Sequence, residues 1–316
     1  MENNKSTIET SHIKAVLQAL LVTFLWASSF ILIKFGLEDG LPPITFAGLR
    51  YSFGFITLFF LVISNRNHRD SLRSVSGKMW IKLIVLGILF YTLTQGANFL
   101  GLSLLPANTV SLIYNFGPFF IALGSGLITK ESPSLIQWLA VLVSIIGALI
   151  YFLPLQSSAR LGFGYLIALI SVLANSISNL LGRQINHKSG LSPIIVTTIS
   201  MGIGGILLLT LGGLTQGFGH LNLSQWLIIG WLAVVNTAFA FTLWNTALRT
   251  LTAVEAGIIN NTMLIQVAIL SWLFLDESLT GKQILGMLLV IAGMIVVQLR
   301  YRVSRKLQSH NIDELS

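Results

Sequence analysis

The chain has 316 residues, of which 54% are hydrophobic and 9% charged, with a formal net charge of +8. A water-soluble fold of this length has no place for so many apolar side chains, so the composition points to an integral membrane protein. The chain has no cysteine, which excludes disulfides, thiolate metal sites and cysteine nucleophiles. In such a chain the basic excess reports membrane orientation and implies no nucleic-acid partner.

Residues 1–14 are polar and read as a tail. The first apolar run, 15–36, is too long for the core of a signal peptide and has no clear cleavage site after it, so it reads as a retained span. Apolar runs of spanning length then recur, at about 45–64, 80–103, 107–128, 134–154, 162–182, 193–213, 226–248, 253–274 and 281–299. Each is near the length needed to cross a hydrocarbon core of about 30 Å. The connections are short and carry turn chemistry: Leu41-Pro42-Pro43, Leu105-Pro106-Ala107-Asn108, Ser132-Pro133 and Leu191-Ser192-Pro193. A proline just inside a helix start costs little, because the first amides have no intrahelical acceptor.

Polar side chains at mid-span mark candidate site positions, since an unsatisfied polar group in hydrocarbon is costly and must face protein or water. The first span offers Trp26, Ser28 and Ser29, followed by Lys34. Arg50 lies in the second. The third carries Tyr91, Gln95 and Asn98 on one helical face. The fourth has Tyr114, Asn115 and Pro118, where a proline frees the carbonyl one turn earlier and can act as a hinge or gate. Asn175 and Asn179 lie one turn apart in the sixth span. The eighth has Trp231, Asn236, Trp244 and Asn245, and the ninth Asn260, Asn261 and Gln266. The fifth and tenth are nearly free of mid-depth polar groups. The alternative reading of each amide is hydrogen-bonding between helices, worth about 0.6 kcal/mol. Clustering by span and depth favours a wet cavity with an aromatic lining. Lys34, Arg50 and Glu255 are the candidates for charge or proton coupling. For these, interfacial snorkelling is the alternative. Trp80, Trp138 and Trp226 read as interfacial anchors.

Residues 98–150 lie over 244–296 without a gap, and fifteen of the 53 pairs are identical. The polar matches carry the weight: Asn115 with Asn261, Ser125 with Ser271, Glu131-Ser132 with Glu277-Ser278, and Gln137 with Gln283. Gly147 falls on Gly293, and Gly40-Leu41-Pro42-Pro43 matches Gly190-Leu191-Ser192-Pro193. The glutamate-serine pairs read as helix-start residues that favour the dipole, not as a duplicated active site.

With ten spans both termini share a side. If that side is cytoplasmic, fifteen of the 19 Lys and Arg residues fall inside and two, Arg160 and Lys282, outside. Each repeat then holds five spans, and the second copy enters the membrane upside down. The expected fold is all-α: ten transmembrane helices as two inverted five-helix repeats around a central cavity. The expected organisation is a cytoplasmic tail (1–14), a first repeat (15–154), an external linker (155–161), a second repeat (162–299) and a cytoplasmic tail (300–316).

The sequence resembles the drug/metabolite transporter superfamily, in particular ten-span proteins with two EamA-type halves. Leu25-Trp26-Ala27-Ser28-Ser29-Phe30 with Lys34 is similar to the family's Trp-Gly-Ser-Asn-Phe…Lys pattern. Pro43 with Ala47-Gly48-Leu49-Arg50 resembles its Pro…Ala-x-x-Arg signature, and the Glu-Ser…Gln…Gly runs resemble the end of each unit. Pro118 matches the mid-helix proline, but its partner position holds Leu264, and Arg50 has Ser200 opposite it. The resemblance implies export or exchange of small metabolites, such as amino acids, nucleosides or drug-like amphiphiles. It also implies a cavity lined by spans 1, 3, 4, 6, 8 and 9. The absence of cysteine suits a bacterial inner-membrane protein.

An intramembrane enzyme is the rival class. All five histidines lie in tails or loops and no span holds Asp, so no catalytic or metal cluster is visible. No phosphate-binding Gly-x4-Gly-Lys-Ser/Thr motif is present. The expectation is a non-enzyme without cofactor or metal, whose partners are a small-molecule substrate and the lipid bilayer. A channel or a membrane scaffold remains the alternative.

Overall fold

The computed structural model of the chain describes residues 2–73, 75–117, 119–121, 135–153, 158–188, 190–247, 250–251 and 253–296. Every regular element among them is helical. In chain order these are α1 (Glu2–Glu38), α2 (Pro43–Ser64), the short α3 (Arg66–Arg73), α4 (Gly77–Leu104), α5 (Ala107–Tyr114), α6 (Leu135–Phe152), α7 (Ala159–Lys188) and α8 (Pro193–Thr215). Then come α9, which begins as Leu223–Ala233 and runs on to Ala240–Ala247, α10 (Ala253–Phe274) and α11 (Gly281–Val296). Six of the described helices are long and apolar enough to cross a membrane. Pro118, Glu131-Ser132-Pro133, the 300–316 tail and the side chains of Asn245 and Glu255 lie outside what the structure describes.

The helix starts follow from the sequence. Pro43 and Pro193 are the first helical residues of α2 and α8. Asn222 and Gln225 form a reciprocal capping box at α9, with bonds of 2.8 and 3.0 Å. Thr280 and Gln283 do the same for α11 at 2.9 and 3.3 Å. That assigns Gln283, one of the repeated polar residues, to capping. α1 differs from expectation by starting at Glu2, well before the apolar run. Neither proline nor glycine interrupts 2–14, so the helix continues into the polar segment.

The chain is built inside out relative to a soluble protein. Large apolar side chains such as Phe60, Ile81, Leu214, Leu227 and Trp272 face outward, while Arg50, Asn98, Asn108, Asn115, Asn236 and Asn261 are buried. An apolar exterior with polar groups held inside is what a bilayer demands of its solutes.

Two antiparallel seams hold the helices in register. Along α2 and α8, a Cβ on Gly48 would meet the Leu209 backbone and one on Gly212 the Thr45 backbone. A Cβ on Gly202 would lie 2.7 Å from the Phe55 ring, and one on Gly205 would lie 3.1 Å from Ser52 N. Between α6 and α11, a Cβ on Gly147 would lie 2.6 Å from the Gly286 carbonyl and one on Gly293 2.5 Å from that of Ala140. Within each seam the partners interchange. Moving Ser52 and Phe55 by the interval from Gly40 to Gly190 gives Gly202 and Gly205. Moving Ala140 and Gly147 by the interval from 98 to 244 gives Gly286 and Gly293. Gly40 (φ 88) and Gly190 (φ 67), which precede these prolines, share the left-handed conformation that glycine tolerates.

α4 and α9 each change part-way into π-helix, at Ile88–Gln95 and Val234–Phe239. The two segments start at positions separated by the interval between 98 and 244. In each, a threonine hydroxyl satisfies a carbonyl five residues back: Thr94 on Leu89 at 2.9 Å and Thr237 on Leu232 at 2.8 Å. Such widened turns recur at functional sites. Here they carry Tyr91 and Gln95 on one side and Asn236 and Thr237 on the other.

Candidate functional site

The densest polar network joins α1, α2 and α9. Asn236 is fully buried, and its amide nitrogen donates to the Leu25 carbonyl, to Ser28 Oγ at 3.0 Å and to Ser29 Oγ at 3.1 Å. Ser29 also accepts from Arg50 Nη2 at 3.3 Å, and Thr237 Oγ1 accepts from Arg50 Nε at 3.1 Å. The guanidinium lies 5.2 Å from the Tyr51 ring centre and 5.9 Å from that of Phe99, within cation–π range. Tyr51 donates to Gln95 Oε1 at 2.7 Å and packs edge-on against Tyr91. The structure thus brings Ser29, Arg50, Tyr91, Gln95 and Asn236 together.

A second group joins α4, α5 and α7. The Tyr114 hydroxyl is hydrogen-bonded to Ser171, which donates to the Thr94 carbonyl at 2.7 Å. Tyr114 also meets Phe30 edge-on. A third ties α10 to α1, where Gln266 Nε2 donates to Thr23 and Thr262, both at 3.3 Å. Trp26 stacks obliquely on Phe241 and Trp244, centroids 5.5 and 5.2 Å away, forming an aromatic corner between α1 and α9.

Asn175 and Asn179 bond to each other on α7. They lie on the side of the helix opposite the outward apolar stripe of Leu166, Leu173 and Ile177, so the exposed Asn179 faces inward. Asn115 and Asn261, the repeat-related pair, are 6% and 2% exposed. Each keeps one buried polar atom without a partner, Oδ1 of Asn115 and Nδ2 of Asn261. Asn98 Oδ1, Asn236 Oδ1 and Gln266 Oε1 are likewise buried and unpartnered. Leaving such an atom unpaired costs about 1–3 kcal/mol, and these five amides mark where the fold presents free hydrogen-bonding capacity.

Trp231 corrects an expectation. It is 54% exposed and belongs to the outward stripe Leu223, Leu227, Trp231 and Val234, away from the polar layer. α9 is apolar on nearly every side, so its sequence carries little amphipathic contrast from which to orient it. Lys34 is half-buried on α1, where the carboxylates of Glu277 and Glu38 act on it. Glu277 does more than favour its own helix. Its carboxylate accepts from the amides of Ala107 at 2.8 Å and Asn108 at 3.1 Å, capping α5 from the far end of the chain. Thr237, Tyr51, Thr94 and Ser171 were not legible as site residues, because a lone hydroxyl in an apolar span gives no signal until a partner is known. The cavity of about 300 Å³ between α2, α3, α4 and α8 is lined by apolar side chains such as Phe55, Phe59, Trp80 and Ile199, and none of the polar residues described above lines it.

The model of the EamA-like transporter family matches the chain twice, over residues 13–153 and 162–299. The chain belongs to the EamA-like transporter family. It is 25% identical over 293 residues to the transporter YoaV of Bacillus subtilis, covering 90% of this chain and 96% of that protein. It is 24% identical over 293 residues to an S-adenosylmethionine/S-adenosylhomocysteine transporter of Chlamydia trachomatis, covering 89% of this chain and 87% of that one. It is 24% identical over 304 residues to a probable amino-acid metabolite efflux pump of Escherichia coli, covering 92% and 97%. A solved crystal structure shares the fold with a TM-score of 0.63 at 18% identity, covering 93% of this chain and 98% of that one. This EamA-family chain is a multi-pass membrane transporter whose relatives are named as transporters and efflux pumps.

Proposed function

We propose that this EamA-family chain is a secondary transporter, an exporter or exchanger of small metabolites such as amino acids or drug-like amphiphiles. It works by alternating access in the bacterial inner membrane, with ten spans in two inverted halves and both termini cytoplasmic. The double family match and the interchanged partners along both antiparallel seams support the inverted halves. The observation that carries the reading is the set of unpartnered buried amide atoms on Asn98, Asn115, Asn236, Asn261 and Gln266. Polar groups buried among membrane-spanning helices belong to a substrate path. Asn115 and Asn261 bind the solute from opposite halves, with Trp26, Tyr91 and Tyr114 supplying aromatic surface. The Pro118 region gates. The relatives named for S-adenosylmethionine and for amino-acid metabolites support a solute of that size and polarity.

The test is counterflow in proteoliposomes preloaded with unlabelled amino acids, nucleosides or amphiphilic cations. Transient, saturable accumulation of the labelled counterpart is expected for one class. Non-saturable leak would instead mark a channel, and no flux of any class from folded protein would remove the transporter mechanism.

A further inference from the structure

Arg50 is the buried cation of the polar layer, 5% exposed, and its partners are neutral: Thr237, Ser29 and the rings of Tyr51 and Phe99. Among the described residues no carboxylate pairs with it. A charge taken out of water without a counter-charge is expensive. The protein keeps it in place with two hydroxyls and two aromatic faces, an arrangement that fixes the guanidinium plane without neutralising it.

Nε and Nη2 donate to Thr237 and Ser29, while Nη1 has no acceptor among the described residues. Nη1 with Nη2 forms the end-on fork that takes the two oxygens of a carboxylate in parallel bonds. One unpartnered acceptor belongs to the same network: Asn236 Oδ1, on the amide that shares Ser29 with Arg50. Thr237 sits in the π-helical segment of α9, the local widening that lets its hydroxyl accept from α2 while donating within its own helix.

Resting on the transport reading above, we propose that Arg50 is the receptor for the carboxylate of the transported solute, and that the substrates are carboxylate-bearing zwitterions whose ammonium is taken by the Asn236 carbonyl. Ser29 and Thr237 are positioning residues that aim the fork.

The test uses purified full-length protein and compares binding, read as thermal stabilisation, of acetate, L-phenylalanine, L-threonine and S-adenosylhomocysteine with binding of their carboxamides. In the wild type at least one acid stabilises and its carboxamide does not. Arg50→Gln weakens binding of that acid by roughly 30-fold or more, the loss expected when one partner of a buried charge pair is truncated. Arg50→Lys, which keeps the charge without the fork, retains part of it. The comparison of acid with carboxamide in the wild type stands even if Arg50→Gln fails to fold. Equal binding of acid and carboxamide overturns the proposal, as does an acid preference that persists in Arg50→Gln, or no stabilisation by any acid in the panel. Counterflow of a solute without a carboxylate, unaffected by Arg50→Gln, would retire the proposal while leaving the transport function intact.

Discussion

Arg50 Nε donates to Thr237 Oγ1 at 3.1 Å across 187 residues of chain, linking the second span of one half to the π-helical turn of the other. The bond joins a cation to a hydroxyl that already donates to Leu232 O, so the hydroxyl is polarised in one direction along both contacts. Thr237→Val keeps the volume and removes this acceptor. The expected outcome is a folded protein with a raised KM for its solute and a maximal rate reduced less than the affinity. Unchanged KM would show that Thr237 does not hold the guanidinium in its working position.

Asn115 and Asn261 each present one unpaired amide atom, an acceptor in one case and a donor in the other. On the reading proposed above, replacing either by Leu removes a binding partner together with an unpaired buried polar group. Each variant is therefore expected to keep its thermal stability, or gain slightly, while counterflow falls at least tenfold, about 1.4 kcal/mol in transition-state terms. Wild-type transport by Asn115→Leu would rule the pair out as the binding site.

Trp231 and Trp26 separate the lipid face from the interior. In single-tryptophan variants, brominated lipid chains should quench Trp231 strongly and Trp26 weakly. Trp231→Leu should leave transport within about twofold, since exposed positions away from a site tolerate change. Strong protection of Trp231 from the brominated lipid would reverse its placement.

The seam glycines differ sharply from a glycine in open space. Gly147→Leu drives its side chain into the Gly286 carbonyl, and an overpacking cost of about 1–3 kcal/mol is expected. Gly230→Ala meets nothing within 4 Å and should be neutral or stabilising by up to about 1 kcal/mol. Thermal unfolding in detergent measures both, and equal midpoints would deny the close approach of α6 and α11.

Glu277→Ala strips the cap from the amides of Ala107 and Asn108. A loss of about 0.5–2 kcal/mol is expected, the usual range for a helix cap. Glu277→Gln keeps an acceptor and should recover part of it. An Ala variant as stable as the wild type would show the cap to be replaceable by water.

Much of this was legible in the sequence because backbone rules act locally. Pro43 and Pro193 begin helices where the chain says they should, and Asn98, Asn115, Asn236 and Asn261 are buried because hydrocarbon leaves them no alternative. The repeat foretold Gly147 and Gly293 as equivalent positions, but not that each would press on the other copy's carbonyl. The π-helical turns were invisible, since an extra residue per turn is decided by what packs beside the helix; on α4 the neighbour is Gly204 of α8, closing on Gly87 and Tyr91. Trp231 was misplaced for a related reason: a span apolar on all sides does not say which way it is rotated. Glu277 was read as serving the helix next to it in sequence. Its carboxylate instead reaches the start of α5, a partner only the folded chain supplies.

The α2–α8 seam sets what can move. Thr45, Gly48, Ser52 and Phe55 descend one helix as Gly212, Leu209, Gly205 and Gly202 ascend the other, with backbone or ring carbons closing on every glycine. Sliding by a single residue would drive side chains into peptide groups along the whole length, so these two helices behave as an axle rather than as a piston. Under the alternating access proposed above, opening toward either side of the membrane falls to helices that lack such a weld, among them those that carry Asn115, Asn261 and the aromatic corner.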